Sequence, residues 1–221
     1  MCGRFTLRAN LNRLLMEFEA EARPEYQPTP RYNVAPTQQI LTISLIDGKR
    51  AIMARRWGLV PFWAADPKIG NSLINARAET VAEKPAFRNS FKKDRCLVIA
   101  DGFYEWKKLD AKKKQPYFIH LKDDRPFAFA GLAAHWDKAG EINSATIITT
   151  DANQLMAPIH DRMPVILPKE SIQLWLDPEF QDKPELLSLL KPYPEEEMVA
   201  TPVSTLVNSP KNEDPCCINP L

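Results

Sequence analysis

From Ile40 to Ile46, Leu41, Ile43 and Leu45 alternate with Thr42 and Ser44, and the run ends on Asp47-Gly48 before a second strand-like stretch, Ile52 to Trp57. Alternation with a period of two gives a strand one apolar face and one polar face, and Asp-Gly suits the positive-φ positions of a tight hairpin turn. Two strands joined in this way run antiparallel, and they need further strands or a helix to cover the apolar face. The chain supplies them. Cys96 to Ala100 is a continuous apolar run, read as a buried strand, and it leads into Asp101-Gly102-Phe103-Tyr104-Glu105-Trp106. Tyr117 to Leu121, Phe127 to Trp136 and Ala145 to Thr150 are three more strands, separated by Asp-Asp-Arg-Pro and Asp-Lys-Ala-Gly turns. Leu73 to Arg77, Val165 to Leu167 and Val199 to Val203 read as short ones.

Helical signals are fewer. Leu11, Leu14, Leu15 and Phe18 fall at i, i+3, i+4 and i+7, with Asn10 as N-cap and Pro24 as the stop. Further helices are expected from about Glu79, from Asp151 through Ala157, and around Ile172 to Leu176 and Pro184 to Leu190. The segment from Gln27 to Pro36 carries three prolines and should be extended. With 20 prolines against 7 glycines, the connections are stiff. The expected fold is α+β: a mostly antiparallel, barrel-like β core with flanking short helices, forming a single domain over residues 1–221, since no stretch has the composition of a linker.

Composition narrows the function. The net charge of +1 means that any nucleic-acid site must be a local patch. The four cysteines, Cys2, Cys96, Cys216 and Cys217, show no metal-ligand spacing. No signal peptide and no apolar run of membrane length are evident, so a cytoplasmic, reduced setting is expected, with no metal, no cofactor and no membrane partner.

Chemistry is concentrated at the chain start, Met1-Cys2-Gly3-Arg4-Phe5. Removal of Met1 would leave Cys2 with a free α-amine beside its own thiol. The unperturbed groups titrate at roughly 8 and 8.5, so both are usable near neutrality. The amine of such a 1,2-aminothiol attacks an aldehyde to give a Schiff base, and the thiol can close a thiazolidine ring. Three polar residues sit in apolar surroundings: Asn75 after Leu73-Ile74, Glu105 between Tyr104 and Trp106, and His160 after Pro158-Ile159. Each has an ordinary explanation. Asn75 could cap a turn, Glu105 could be the outward residue of a strand, and His160 could be a satisfied core histidine. Together they could supply an orienting amide, a carboxyl group with a raised pKa and a group that titrates near neutrality. Arg4, Arg31, Arg55, Arg56, Arg77 and Arg162 lie near Trp57, Trp63 and Trp106, a mixture suited to the phosphates and unstacked bases of single-stranded nucleic acid. Trp136 and Trp175 read as core, and the basic stretch from Lys107 to Lys114 reads as a solvated hairpin tip.

Six motifs in order resemble the SOS-response-associated peptidase (SRAP) family, also called the abasic-site processing proteins. They are Cys2-Gly3-Arg4-Phe5, Tyr32 to Thr37, Arg56 to Pro61, Asn75 to Thr80, Ala100 to Trp106 and His160 to Pro164, and the tail Asn208 to Asn212 extends the match. The resemblance implies an enzyme of lyase type that crosslinks mature Cys2, through a thiazolidine, to the ring-opened aldehyde of an abasic site in single-stranded DNA. It implies that Asn75 orients the sugar, that Glu105 acts as acid or base in ring opening and in crosslink reversal, and that His160 assists proton transfer. The implied DNA-binding set is Arg4, Asn33, Trp63, Arg77, Trp106 and Arg162. The protein is expected to be monomeric, and associated with the nucleoid when bound to DNA. Two other readings remain open: a cysteine autopeptidase that removes its own Met1, and a non-covalent reader of modified DNA.

Overall fold

The computed structural model describes residues 2–22 and 28–221. In chain order the strands are β1 (Phe5–Leu7), β2 (Arg31–Val34), β3 (Gln39–Ile46), β4 (Lys49–Trp57), β5 (Asn75–Arg77), β6 (Arg95–Ala100), β7 (Gly102–Lys108), β8 (Lys114–Leu121), β9 (Phe127–Trp136), β10 (Ile142–Asp151), β11 (Arg162–Pro164), β12 (Ile166–Leu167) and β13 (Met198–Pro202). The α-helices are α1 (Leu11–Phe18), α2 (Arg88–Lys93), α3 (Ile172–Leu176) and α4 (Lys183–Ser188).

The hairpin read from the sequence is present. β3 and β4 pair antiparallel from Gln39 opposite Arg56 to Ile46 opposite Lys49. Asp47 and Gly48 have φ of 49° and 77°, as a primed turn requires. β6 pairs with the other edge of β3, β9 pairs with β6, and β10 pairs with β9. β10 then meets β4 in parallel at Ser144 and Ala145, which closes the five strands into a ring. The barrel-like expectation therefore holds, with one parallel seam. β6 is buried along its whole length because both of its faces are covered. Leu97 and Ile99 join the core with Leu14 and Phe18 of α1 and Trp175 of α3. Cys96, Val98 and Ala100 face a second core with Phe5, Phe103 and Ile119.

Those last three residues come from a second sheet, ordered β13-β8-β7-β1-β2. Phe5 packs on Trp57 with ring centroids 5.1 Å apart, and Phe103 on Phe129 at 6.0 Å, so aromatic contacts join the sheet to the barrel. The tail covers the sheet's other face, where Val203, Val207 and Cys217 pack against Tyr104 and Phe118. At Gly102 a Cβ would lie 2.2 Å from the Phe118 ring. Gly102→Ala is therefore expected to destabilise the fold by about 1–3 kcal/mol, read as a lowered Tm, because the ring is packed and has no room to turn. An unchanged Tm would mean that the tail yields easily.

Several expectations need correction. α1 starts at the expected cap, where Asn10 Oδ1 accepts the Arg13 N–H at 3.0 Å, but it ends at Phe18, with Glu19 in the left-handed region at φ 49°. The expected stop, Pro24, and the first residue of the extended segment, Gln27, lie outside the described residues. No α-helix begins near Glu79. Residues 78–87 are turns and the helix is α2, because Pro85 lacks an amide donor and disfavours helix in the residue before it. Asp151 does not cap a helix either, since pairing with Arg162 holds it at the end of β10. Asn153 Oδ1 instead accepts the Met156 N–H at 2.9 Å and caps a run of turns. Trp136 and Trp175 are core residues, as expected.

Candidate active site

The site is assembled at the chain start. Phe5 pairs with Phe103, and Arg4 O accepts the Tyr104 N–H at 2.9 Å. The same antiparallel register carries Gly3 and Cys2 alongside Glu105 and Trp106. From another direction comes β5, which lies parallel to β10 with Asn75 opposite Ile147. β10 reaches this far because one long strand serves β9 and β11 on one edge and β4 and β5 on the other. Asn75 Nδ2 donates to Cys2 O at 2.8 Å, a contact between residues 73 apart in sequence. Asn75 Oδ1 is buried and has no hydrogen-bond partner among the described residues. An amide oxygen so placed is an acceptor waiting for a donor.

Cys2 is fully buried, and its thiol points to Arg4 O at 3.8 Å. Burial, and then the neighbouring Glu105 charge, push the thiol well above its ordinary range, so it rests as a neutral S–H. Glu105 is only 3 % exposed and so is not the outward strand residue of the ordinary reading. Burial raises its pKa, and His160 partly opposes the rise, which also places His160 close to the carboxyl group. His160 precedes β11. Its Nδ1 is 3.0 Å from the Arg162 backbone N–H and 2.9 Å from Asp161 Oδ1. These contacts ask for different protons: the N–H donor needs a bare Nδ1, whereas the carboxylate needs Nδ1–H. Cys2, Asn75, Glu105 and His160, picked out separately in the sequence, form one cluster.

The six residues expected to hold DNA fare unevenly. Arg77 is exposed, and its side chain forms no hydrogen bond or ion pair among the described residues. Arg162 is different. Its side chain is 11 % exposed, forks onto Glu79 at 2.6 and 3.1 Å and reaches Asp151 at 2.7 Å. That clamp holds the Glu79 carboxyl below its usual range. Arg4 Nη1 donates to Asn33 Oδ1 at 2.7 Å and Val207 O at 2.8 Å, and its guanidinium stands 5.9 Å over the Trp106 ring. Trp106 is half-buried, with its indole N–H on Asn208 Oδ1 at 2.7 Å. Asn33 is fully buried. Its amide accepts from Arg4 and donates to Ser209 O at 2.9 Å and Asn212 O at 2.8 Å, so here it is a tail anchor with no surface for a DNA strand. Trp63 is 43 % exposed beside Phe62 at 57 % and donates to Pro85 O at 3.3 Å, away from the contacts that join the Cys2 cluster.

The other arginines are committed to the fold. Arg31 pairs with Glu213 at 2.8 Å, Arg55 is buried against Thr42, and Arg56 bonds Asn71 Oδ1 at 2.5 Å. Sequence reasoning missed Glu79 and Asp151, which neutralise Arg162. It also missed Glu213, whose carboxylate accepts the Tyr32 and Asn33 N–H groups. Glu79 was visible, two residues after Arg77 in a motif already noted, but its partner was not. Among the described residues no group of three or more His, Cys, Asp or Glu could hold a metal, and no helix is long and apolar enough to cross a membrane.

Comparison with known proteins agrees with this arrangement. The sequence model of the SOS response associated peptidase (SRAP) family matches residues 1–210. The abasic site processing protein YoqW of Bacillus subtilis (strain 168) is 50% identical over 219 residues, covering 97% of each chain. YedK of Escherichia coli (strain K12), also named an abasic site processing protein, is 33% identical over 227 residues, covering 100% of both. A crystal structure of a Bacteroides thetaiotaomicron protein superposes with a TM-score of 0.89 at 32% identity over the full length of both chains. With matches spanning almost the whole sequence in each comparison, the chain belongs to the SRAP family.

Proposed function

We propose that this protein processes abasic sites in single-stranded DNA by coupling them to Cys2. The observation that carries the reading is the meeting of Asn75, Glu105 and His160 around Cys2, with a buried Asn75 Oδ1 left without a partner. The names of the relatives support the substrate class. Release of Met1 frees the α-amine. The amine lone pair attacks the aldehyde carbon of the ring-opened sugar, and the carbinolamine loses water as Glu105, its pKa raised by burial, gives a proton to the leaving hydroxyl. The Cys2 sulfur then adds to the iminium carbon, and its proton returns to Glu105 directly or through His160. The net change is aldehyde plus aminothiol to thiazolidine plus water. Asn75 Oδ1 would accept a sugar hydroxyl. Holding the sugar beside Cys2 makes the encounter intramolecular, worth several kcal/mol. The test is incubation with an abasic-site oligonucleotide and with its undamaged counterpart, followed by a denaturing gel. A heat-stable adduct on the damaged strand alone is expected, and its absence sinks the proposal.

Autoremoval of Met1 is compatible with the same cluster, because Cys2 lies one residue from the start.

Arg77 and Arg162 should separate in solution. Arg77→Ala is expected to lower the slope of log affinity against log salt by about 0.7 on an undamaged single strand, the value for one lost phosphate contact. Arg162→Ala should change the slope less, because two carboxylates already offset its charge, and should instead lower Tm by exposing Glu79 and Asp151 to mutual repulsion. Equal slopes for wild type and Arg77→Ala would remove Arg77 from the interface.

A further inference from the structure

We propose that the β7–β8 hairpin is a second anion-binding surface, which takes the phosphate backbone of the same DNA strand on the flank beyond the reacting sugar. This rests on the function proposed above and extends it. Residues 107–114 hold five lysines in eight positions, a dense charge in a chain of net charge +1. The one acid in the stretch, Asp110, is used internally: its Oδ1 accepts the Lys112 and Lys113 N–H groups at 2.8 and 2.9 Å and shapes the turn. None of the five lysines forms an ion pair among the described residues.

The pairing is the more telling fact. Lys108 stands directly opposite Lys114 across the two strands. Like charges in that relation are destabilising, and although Asp110 lines the same groove, neither lysine forms an ion pair with it or with another carboxylate among the described residues. A local conflict that the fold does not resolve points to a ligand that does. The surroundings suit a phosphate backbone. Lys108, Lys112 and Lys114 line a groove of about 750 Å³ with Trp106, Thr205 and Asn208, which adds a hydroxyl, an amide and an indole to the ammonium groups. Position selects the strand already bound at the site over an unrelated acidic partner. Trp106 follows Glu105 directly, and three strand residues carry the chain about 10 Å from Glu105 to Lys108. A single strand leaving the cluster along β7 meets the groove next.

The test compares wild type with a variant carrying Lys108→Gln, Lys112→Gln, Lys113→Gln and Lys114→Gln. Salt titrations use two undamaged oligonucleotides, one confined to the immediate neighbourhood of a lesion position and one extended on both sides. On the extended strand the salt slope of the variant should fall by about 2–3, at 0.7 per lost contact. On the short strand it should not change. Crosslinking at saturating abasic DNA should match wild type, and Tm should hold or rise, because the opposed lysines are gone. An unchanged slope on the extended strand, with wild type binding and crosslinking normally, overturns the hairpin assignment alone. Equal losses on short and extended strands overturn it too, because the lysines would then act at the lesion. Wild type that neither binds nor crosslinks overturns the function proposed above and this inference with it.

Discussion

Cys2→Ala is expected to abolish the heat-stable adduct with abasic DNA while leaving affinity for an undamaged single strand nearly unchanged. The thiol forms the second bond to the sugar carbon, and without it the amine can reach only a Schiff base, which water reverses. Borohydride reduction during the reaction should therefore trap an adduct with Cys2→Ala or Cys2→Ser, and heating without reduction should release it. A terminus lengthened by residues that cannot be removed should give neither product, because an amide nitrogen does not attack a carbonyl. Cys2 is buried, so truncation leaves a small cavity that costs on the order of 1 kcal/mol. A melting curve then shows that the loss is chemical and not a loss of fold. A normal heat-stable adduct from Cys2→Ala would remove Cys2 from the mechanism.

Glu105→Gln should act in two opposite directions. Crosslink formation and its reversal should both slow by about 10²–10⁴-fold, the usual worth of a positioned acid or base, since one group serves both directions of a reversible step. The fold should become more stable near neutral pH. Burial holds the Glu105 pKa above its unfolded value, so the folded state keeps the proton to a higher pH than the unfolded chain does. Stability is then present below the ordinary carboxylate range and is lost as pH rises through the folded value. Glutamine has the same shape and no charge to bury. The difference in Tm, variant minus wild type, should be small in acid and grow as pH rises, reaching a few degrees at neutrality. A site residue whose removal stabilises the protein is what a trade of stability for activity looks like. Wild-type rates with raised stability would make Glu105 a buried liability with no part in catalysis. Falls in both rate and Tm would make it a structural group.

The legible parts of the fold share a property: their cause lies within a few residues. Period-two alternation, the Asp47-Gly48 turn and the apolar run of β6 were enough to place the strands, and the Asn10 cap was enough to start α1. Where such signals misled, a neighbour overrode them. Pro85 removed the helix expected near Glu79, and pairing with β11 kept Asp151 extended. The cluster itself was legible only as unusual residue types, because its members come from β5, β7, the turn before β11 and the chain start.

By itself the sequence determined which groups could react: a cysteine at position 2, an amide, a carboxyl and an imidazole, each set among apolar neighbours. Tertiary structure alone decided what each could do. The parallel docking of β5 on β10 brought Asn75 to Cys2, and burial raised the pKa of Glu105. The fold also sorted residues that look alike in sequence, leaving Arg77 in solvent, closing Arg162 onto Glu79 and Asp151, and turning Asn33 inward to hold the tail. The reason is physical. Reactivity here depends on desolvation and on nearby charge, and both are set by strand pairings between residues far apart in the chain, which local periodicity does not encode.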